Sequence, residues 1–102
     1  MKEKLIKQFI KEGGSISLSV KNNKLYYVVD TGMKSDLSFR FTKGNECHII
    51  TRYQEFTDEI TSVEDILRNI YYHCMCGRDY MNFSIKEMLI KYGIIDSKDE
   101  TK

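Results

Sequence analysis

The sequence predicts an α+β domain: a four-stranded antiparallel sheet made of two hairpins, with an N-terminal helix and two C-terminal helices packed on one face. Three observations lead there. Apolar residues recur at helical spacing near both ends of the chain, they alternate with period two between residues 16 and 50, and turn-forming residues separate the alternating runs. The chain has 102 residues, one domain's worth where domains commonly run ~100–150 residues. No repeat or linker interrupts it, so 1–95 is read as a single α+β domain and the wholly polar 96–102 as a C-terminal tail.

Residues 2–12 place Leu5, Ile6, Phe9 and Ile10 on one side of an amphipathic helix, and Gly13-Gly14 supplies its stop. Ile16, Leu18 and Val20 then alternate with Ser15, Ser17 and Ser19, and Asn22-Asn23 suits a tight primed turn. With that pair as the loop, Val20 faces Leu25, Leu18 faces Tyr27 and Ile16 faces Val29. All six apolar side chains then share one face, so the register supports itself. Leu37, Phe39 and Phe41 begin a second hairpin. A three-residue loop at Lys43-Gly44-Asn45 pairs Phe41 with Cys47 and Phe39 with Ile49, and turns His48 outward. Thr61-x-x-Glu64 has capping-box spacing ahead of the stripe Val63, Ile66, Leu67, Ile70 and Cys74, and Gly77 ends that helix. Ser84-x-x-Glu87 opens the last helix, with Ile85, Met88, Leu89 and Tyr92 inward. Gly93 is its stop, and Ile94 stands where a Schellman motif makes its apolar contact.

Composition excludes several functions. A net charge of +1 excludes a strongly basic nucleic-acid binder and a wholly acidic nucleic-acid mimic. No apolar run approaches the ~20 residues of a membrane span, and the first ten residues lack a secretory apolar segment. Three cysteines without a signal peptide predict a reducing, cytoplasmic setting, the host cytoplasm if the gene is carried by a phage. Ala, Pro and Trp are absent, while Lys and Ile occur 12 times each. Lys and Ile use AT-rich codons and Ala and Pro use GC-rich ones, which associates the chain with low-GC bacteria and their phages and plasmids.

The chemistry-bearing residues do not assemble into an enzyme or a metal centre. Cys47-His48 and His73-Cys74-Met75-Cys76 could together offer a zinc site, but Cys74 and Cys76 point about 200° apart on a continuous helix. Cys74 also lies near a helix C-terminus, where the dipole raises a thiol pKa and opposes a nucleophilic role. Asp30 and Asp36 flank a turn, where Asp is a common turn former. No phosphate-binding loop, dinucleotide fingerprint, metalloprotease helix or nucleophile elbow occurs. The expectation is a protein with no enzymatic activity, cofactor or metal.

Segmented charge says more. Residues 1–43 carry nine positive and four negative side chains, whereas 44–65 carry one positive and six negative. Glu64 and Asp65 fit the first turn of a helix, where acids offset the positive dipole end. Glu55, Asp58 and Glu59 have no such reason and predict an acidic ridge for a basic partner. Just downstream, Tyr72, Met75 and Tyr80 are of the types enriched at protein interfaces. The leading expectation is therefore a small protein-binding modulator using Glu55, Asp58, Glu59, Tyr72, Met75 and Tyr80 against a protein with a basic surface. Its composition suggests a phage or mobile-element inhibitor of a host protein, of anti-defence (for example anti-CRISPR) type. The alternative is a single-stranded nucleic-acid-binding module on the open sheet face, through Tyr26, Arg40, His48 and Arg52.

Overall fold

A computed structural model describes residues 2–32, 37–74 and 81–96, with only the backbone of Cys74. The elements are α1 (Lys2–Lys11), β1 (Ile16–Lys21), β2 (Lys24–Val29), β3 (Leu37–Phe41), β4 (Glu46–Ile50), β5 (Glu55–Glu59), α2 (Val63–Cys74) and α3 (Phe83–Lys91). All strand pairings are antiparallel, and the sheet order β1-β2-β3-β4-β5 is a simple meander. The predicted class holds, with one correction: the sheet has five strands, not four. Glu55–Glu59 carries three acids and reads poorly as a strand. Tertiary pairing overrides that propensity. Phe56 sits opposite Ile49, and the Ile60 N–H donates to the Asn45 carbonyl at 3.0 Å. Thr51 shapes the intervening turn, where its hydroxyl donates to the Gln54 carbonyl (2.9 Å) and accepts the Gln54 N–H (3.0 Å).

Both expected hairpin registers are present, Leu18 opposite Tyr27 and Phe39 opposite Ile49. Asn22 and Asn23 take φ of 51° and 64°, the conformation a two-residue primed turn demands. One inner row crosses the whole sheet: Leu18, Tyr27, Phe39, Ile49 and Phe56. Its centre is buried under Ile6 and Phe9 of α1, Ile66, Leu67 and Ile70 of α2, and Ile85, Met88 and Leu89 of α3. Its β1 end is not, because Leu18, Val20 and Leu25 remain exposed. Ile10, expected on the core side of α1, is also exposed, whereas Met81, just ahead of α3, is buried.

The helix ends differ from the expected caps in detail. Ser62, not Thr61, caps α2: its hydroxyl accepts the Asp65 N–H at 3.2 Å, and Asp65 reaches back to the Thr61 N–H at 2.9 Å. Asn82 precedes α3 in place of Ser84 and ties it to the β2–β3 connection, its amide donating to the Asp30 carbonyl (3.0 Å) and its N–H to that of Thr31 (2.8 Å). Two helices end in Schellman motifs. In α1 the Gly14 N–H donates to Phe9 and the Gly13 N–H to Ile10; in α3 Ile94 donates to Leu89 and Gly93 to Ile90. Gly14 is required by packing, since a Cβ there would collide with the buried Phe9 ring. Gly77 and residues 97–102 lie outside the described residues.

The two Schellman ends are clamped together. The Tyr92 hydroxyl donates to Glu12 Oε1 at 2.5 Å, and Lys91 Nζ lies 3.5 Å from the same oxygen. The Tyr92 hydrogen bond, then that of Gln8, holds the Glu12 carboxyl below its ordinary pKa, while the Glu12 carboxylate pushes the Tyr92 phenol up to about 12. Tyr92→Phe is expected to lower stability by about 1–2 kcal/mol at neutral pH, the size of a hydrogen bond to a charged group. A carboxyl whose folded pKa is depressed contributes above its unfolded pKa and loses that contribution as pH falls through the folded value. Urea melts at descending pH should therefore show wild type and variant converging below the ordinary carboxylate range.

Candidate protein-binding groove

β5 is an edge strand, and α2 follows it across the helix-bearing face. Between them lies a groove of ≈ 480 Å³ walled by Phe56 and Asp58 on one side and Asn69, Tyr72 and His73 on the other. The strand period explains the first wall. Phe56 and Asp58 pair with Ile49 and Cys47 and so share the inner face, while Glu55, Thr57 and Glu59 point to the outer face. The helix period explains the second, since Tyr72 and His73 lie three and four residues beyond Asn69.

An aromatic stack forms the floor. The His73 ring lies 4.4 Å from Phe56, and Tyr72 meets His73 edge-on at 5.0 Å. Tyr72 is 70% exposed, while Phe56 and His73 are half-buried. Burial holds the His73 imidazole below its ordinary pKa, opposed by the nearby Asp58 carboxylate. Asp58 is itself anchored: one oxygen accepts the Glu59 N–H at 2.8 Å and the other the Asn69 amide at 3.1 Å. Arg68 lines the groove but is held by Glu64 at 2.5 Å.

The expected acidic ridge divides across two faces. Asp58 stands at the groove, whereas Glu55 and Glu59 lie on the outer face in company with Glu46, the residue opposite Glu59. His48 Nδ1 is 2.5 Å from Glu55, and its Nε2 is 3.9 Å from Glu46. Among the described residues no Lys or Arg ion-pairs with these four acids. Tyr72 is therefore brought beside Asp58 but separated from Glu55 and Glu59 by the sheet edge. Met75 and Tyr80 lie outside the described residues. Phe56 and Asn69 were not singled out in the sequence, and His73 was weighed there only as a zinc ligand. The one available signal was Phe56, the lone apolar residue in an acidic run.

The outer face holds the nucleic-acid candidates. Arg40 lies opposite His48, and Tyr26 opposite Ser19. Tyr26 also lines a shallow hollow of ≈ 230 Å³ with Lys21, Val28 and Glu55. Arg52 lies apart in the β4–β5 turn, 5.6 Å from the ring of Tyr53.

Cys47 is fully buried, and burial pushes its thiol up to about 12, which makes it a packing residue and not a nucleophile. Among the described residues no three His, Cys, Asp or Glu side chains gather as a metal site; Cys76 lies outside them. Nor is any described helix long and apolar enough to cross a membrane. The chain matches none of the protein-family models, curated proteins or solved structures with which it was compared.

The His73 environment makes a direct prediction. In an NMR titration its imidazole should protonate below the ordinary histidine range. Asp58→Asn removes the opposing charge and should lower that value further, with the melting curve checking that the fold persists.

Proposed function

We propose that this chain is a small non-enzymatic protein that binds and modulates a protein partner through the β5–α2 groove. The observation that carries the reading is an exposed Tyr72 standing over an aromatic floor beside the Asp58 carboxylate. An aromatic anchor supplies contact energy when a partner buries it, and acids at the rim accelerate the approach of a basic surface. The acids of β4 and β5, which ion-pair with no Lys or Arg among the described residues, favour such a basic segment. What supports a phage or mobile-element inhibitor of a host defence protein is the AT-rich composition.

A second reading, single-stranded nucleic acid on the outer sheet face, is favoured by the grouping of Tyr26, Arg40 and His48. Glu46, Glu55 and Glu59 on that same face oppose it, since phosphates are repelled by carboxylates.

The experiment begins with capture of a partner from host lysate, followed by surface plasmon resonance. Tyr72→Ala should chiefly speed dissociation, by a hot-spot cost of roughly 2 kcal/mol. Glu55→Gln with Glu59→Gln should slow association and flatten its salt dependence. Both variants should melt near wild type, because all three side chains are exposed. Unchanged binding in both would remove the groove from consideration. For the second reading, fluorescence anisotropy with a labelled oligonucleotide should give weak binding at physiological salt, insensitive to Arg40→Ala; tight binding abolished by that change would reverse the order of the two.

A further inference from the structure

The two edges of the sheet are built differently. β5 carries three acids, and the Asp58 carboxylate occupies the Glu59 N–H. Charges and side-chain plugs of this kind blunt a strand edge against pairing. β1, Ile16-Ser17-Leu18-Ser19-Val20-Lys21, carries no charge before its last residue and no side-chain plug among the described residues. Its six residues pair with β2 without a bulge, the chain contains no proline, and its one charge sits at the end of the strand. Leu18 and Val20 are 67% and 69% exposed on the face that elsewhere carries the core, and Leu25 beside them is 41% exposed.

The direction of the free backbone groups follows from the ladder. The Asp30 N–H donates to the Ser15 carbonyl at 2.9 Å, so Ser15 and Asp30 are a hydrogen-bonded pair. Alternation then turns the N–H and C=O of Ser17, Ser19 and Lys21 toward β2, and those of Ile16, Leu18 and Val20 outward. The residues with open backbone groups are thus the residues with apolar side chains on the inner face.

We infer that β1 is the interface for a second copy of this chain, paired antiparallel across a two-fold axis at Leu18 to give one continuous ten-stranded sheet. In that register Leu18 opposes the partner's Leu18, and Ile16 opposes the partner's Val20. Each outward N–H and C=O of these three residues then meets its complement. Sliding by one residue would set leucine and valine against serine on the wrong face. Sliding by two would bring Ile16 opposite Asn22, which is already committed to the turn. Charge agrees as well: on the outer face Lys21 falls opposite the partner's Ser15, in the same cross-strand row as the partner's Asp30. Asp30 spends one carboxylate oxygen on the Gly32 N–H and has a second for the ammonium group. The exposed Leu18, Val20 and Leu25 of both copies form one apolar strip beside the axis, and the β5–α2 grooves stand at the two far ends of the sheet.

Sedimentation velocity on the full chain, from micromolar to near-millimolar protein, tests the pairing. The expected result is a shift from 12.0 kDa toward twice that mass as concentration rises. Leu18→Lys, which points a charge into the strip, should stay monomeric throughout. If its circular dichroism melt shows that it does not fold, Val20→Lys takes its place. Hydrogen exchange on the wild type needs no variant: the amides of Ile16, Leu18 and Val20 should slow by about tenfold or more between the dilute and concentrated samples, while those of Thr57 and Glu55 should not. A monomer at every concentration overturns the inference. So does a dimer whose β1 amides exchange at a concentration-independent rate, or growth beyond a dimer.

Discussion

One face of a five-stranded sheet must be kept from water by three helices of ten, twelve and nine residues, and the rest of the structure depends on how that cover is placed. The helices close over the middle strands. Val29, Phe39, Cys47 and Ile49 are sealed there by Phe9, Ile66, Leu67, Ile70, Ile85 and Leu89. This central burial is the main stabilising term, because apolar area removed from water contributes roughly 25 cal/mol per Å². The flanks receive less. At β1 the inner row ends in exposed leucine and valine, and at β5 it ends in the half-buried Phe56 against His73, which the exposed Tyr72 meets in turn. Both candidate interaction surfaces are consequences of this partial cover.

A few polar ties add to this burial, within the helix layer and between it and the sheet. Asn82 fastens the start of α3 to the backbone at Asp30 and Thr31, and the crowding of Gly32 against Asn82 leaves no room for a Cβ there. Glu12 joins the ends of α1 and α3 through Tyr92. Asn69 bridges α2 to β5 through Asp58. The last tie also shapes the groove, since it anchors the carboxylate that stands beside Tyr72. In a domain whose net stability is a small difference between large terms, each such contact is a sizeable fraction of the whole.

The hairpins were legible because alternation and turn chemistry agreed. Asn22-Asn23 and the six apolar residues around it admit one register, as do Lys43-Gly44-Asn45 and the pairs Phe41–Cys47 and Phe39–Ile49. The Gly93–Ile94 stop of α3 was legible for a similar reason, a positive φ followed by an apolar contact. β5 was not, because its acids argue against a strand and only the open edge of β4 makes it one. The caps of α2 and α3 moved by one and two residues, since Ser62 and Asn82 compete with equally suitable neighbours and only the geometry of the entering chain selects between them. Of the site, Tyr72 and the acids were visible as residue types, while Phe56, Asn69 and His73 became neighbours only through the pairing of β5 with β4.

By itself the sequence determined the class of fold, the faces of the first four strands, the two hairpin registers and the burial of Cys47 and Ile49. These rest on local periodicity and turn conformation, which act over a few residues. Tertiary structure alone decided the fifth strand, the separation of Glu55 and Glu59 from Asp58, the exposure of Leu18 and Val20, and the groove beside α2. Each depends on where a helix of limited length comes to rest on a wider sheet, and no pattern within a single element encodes that position.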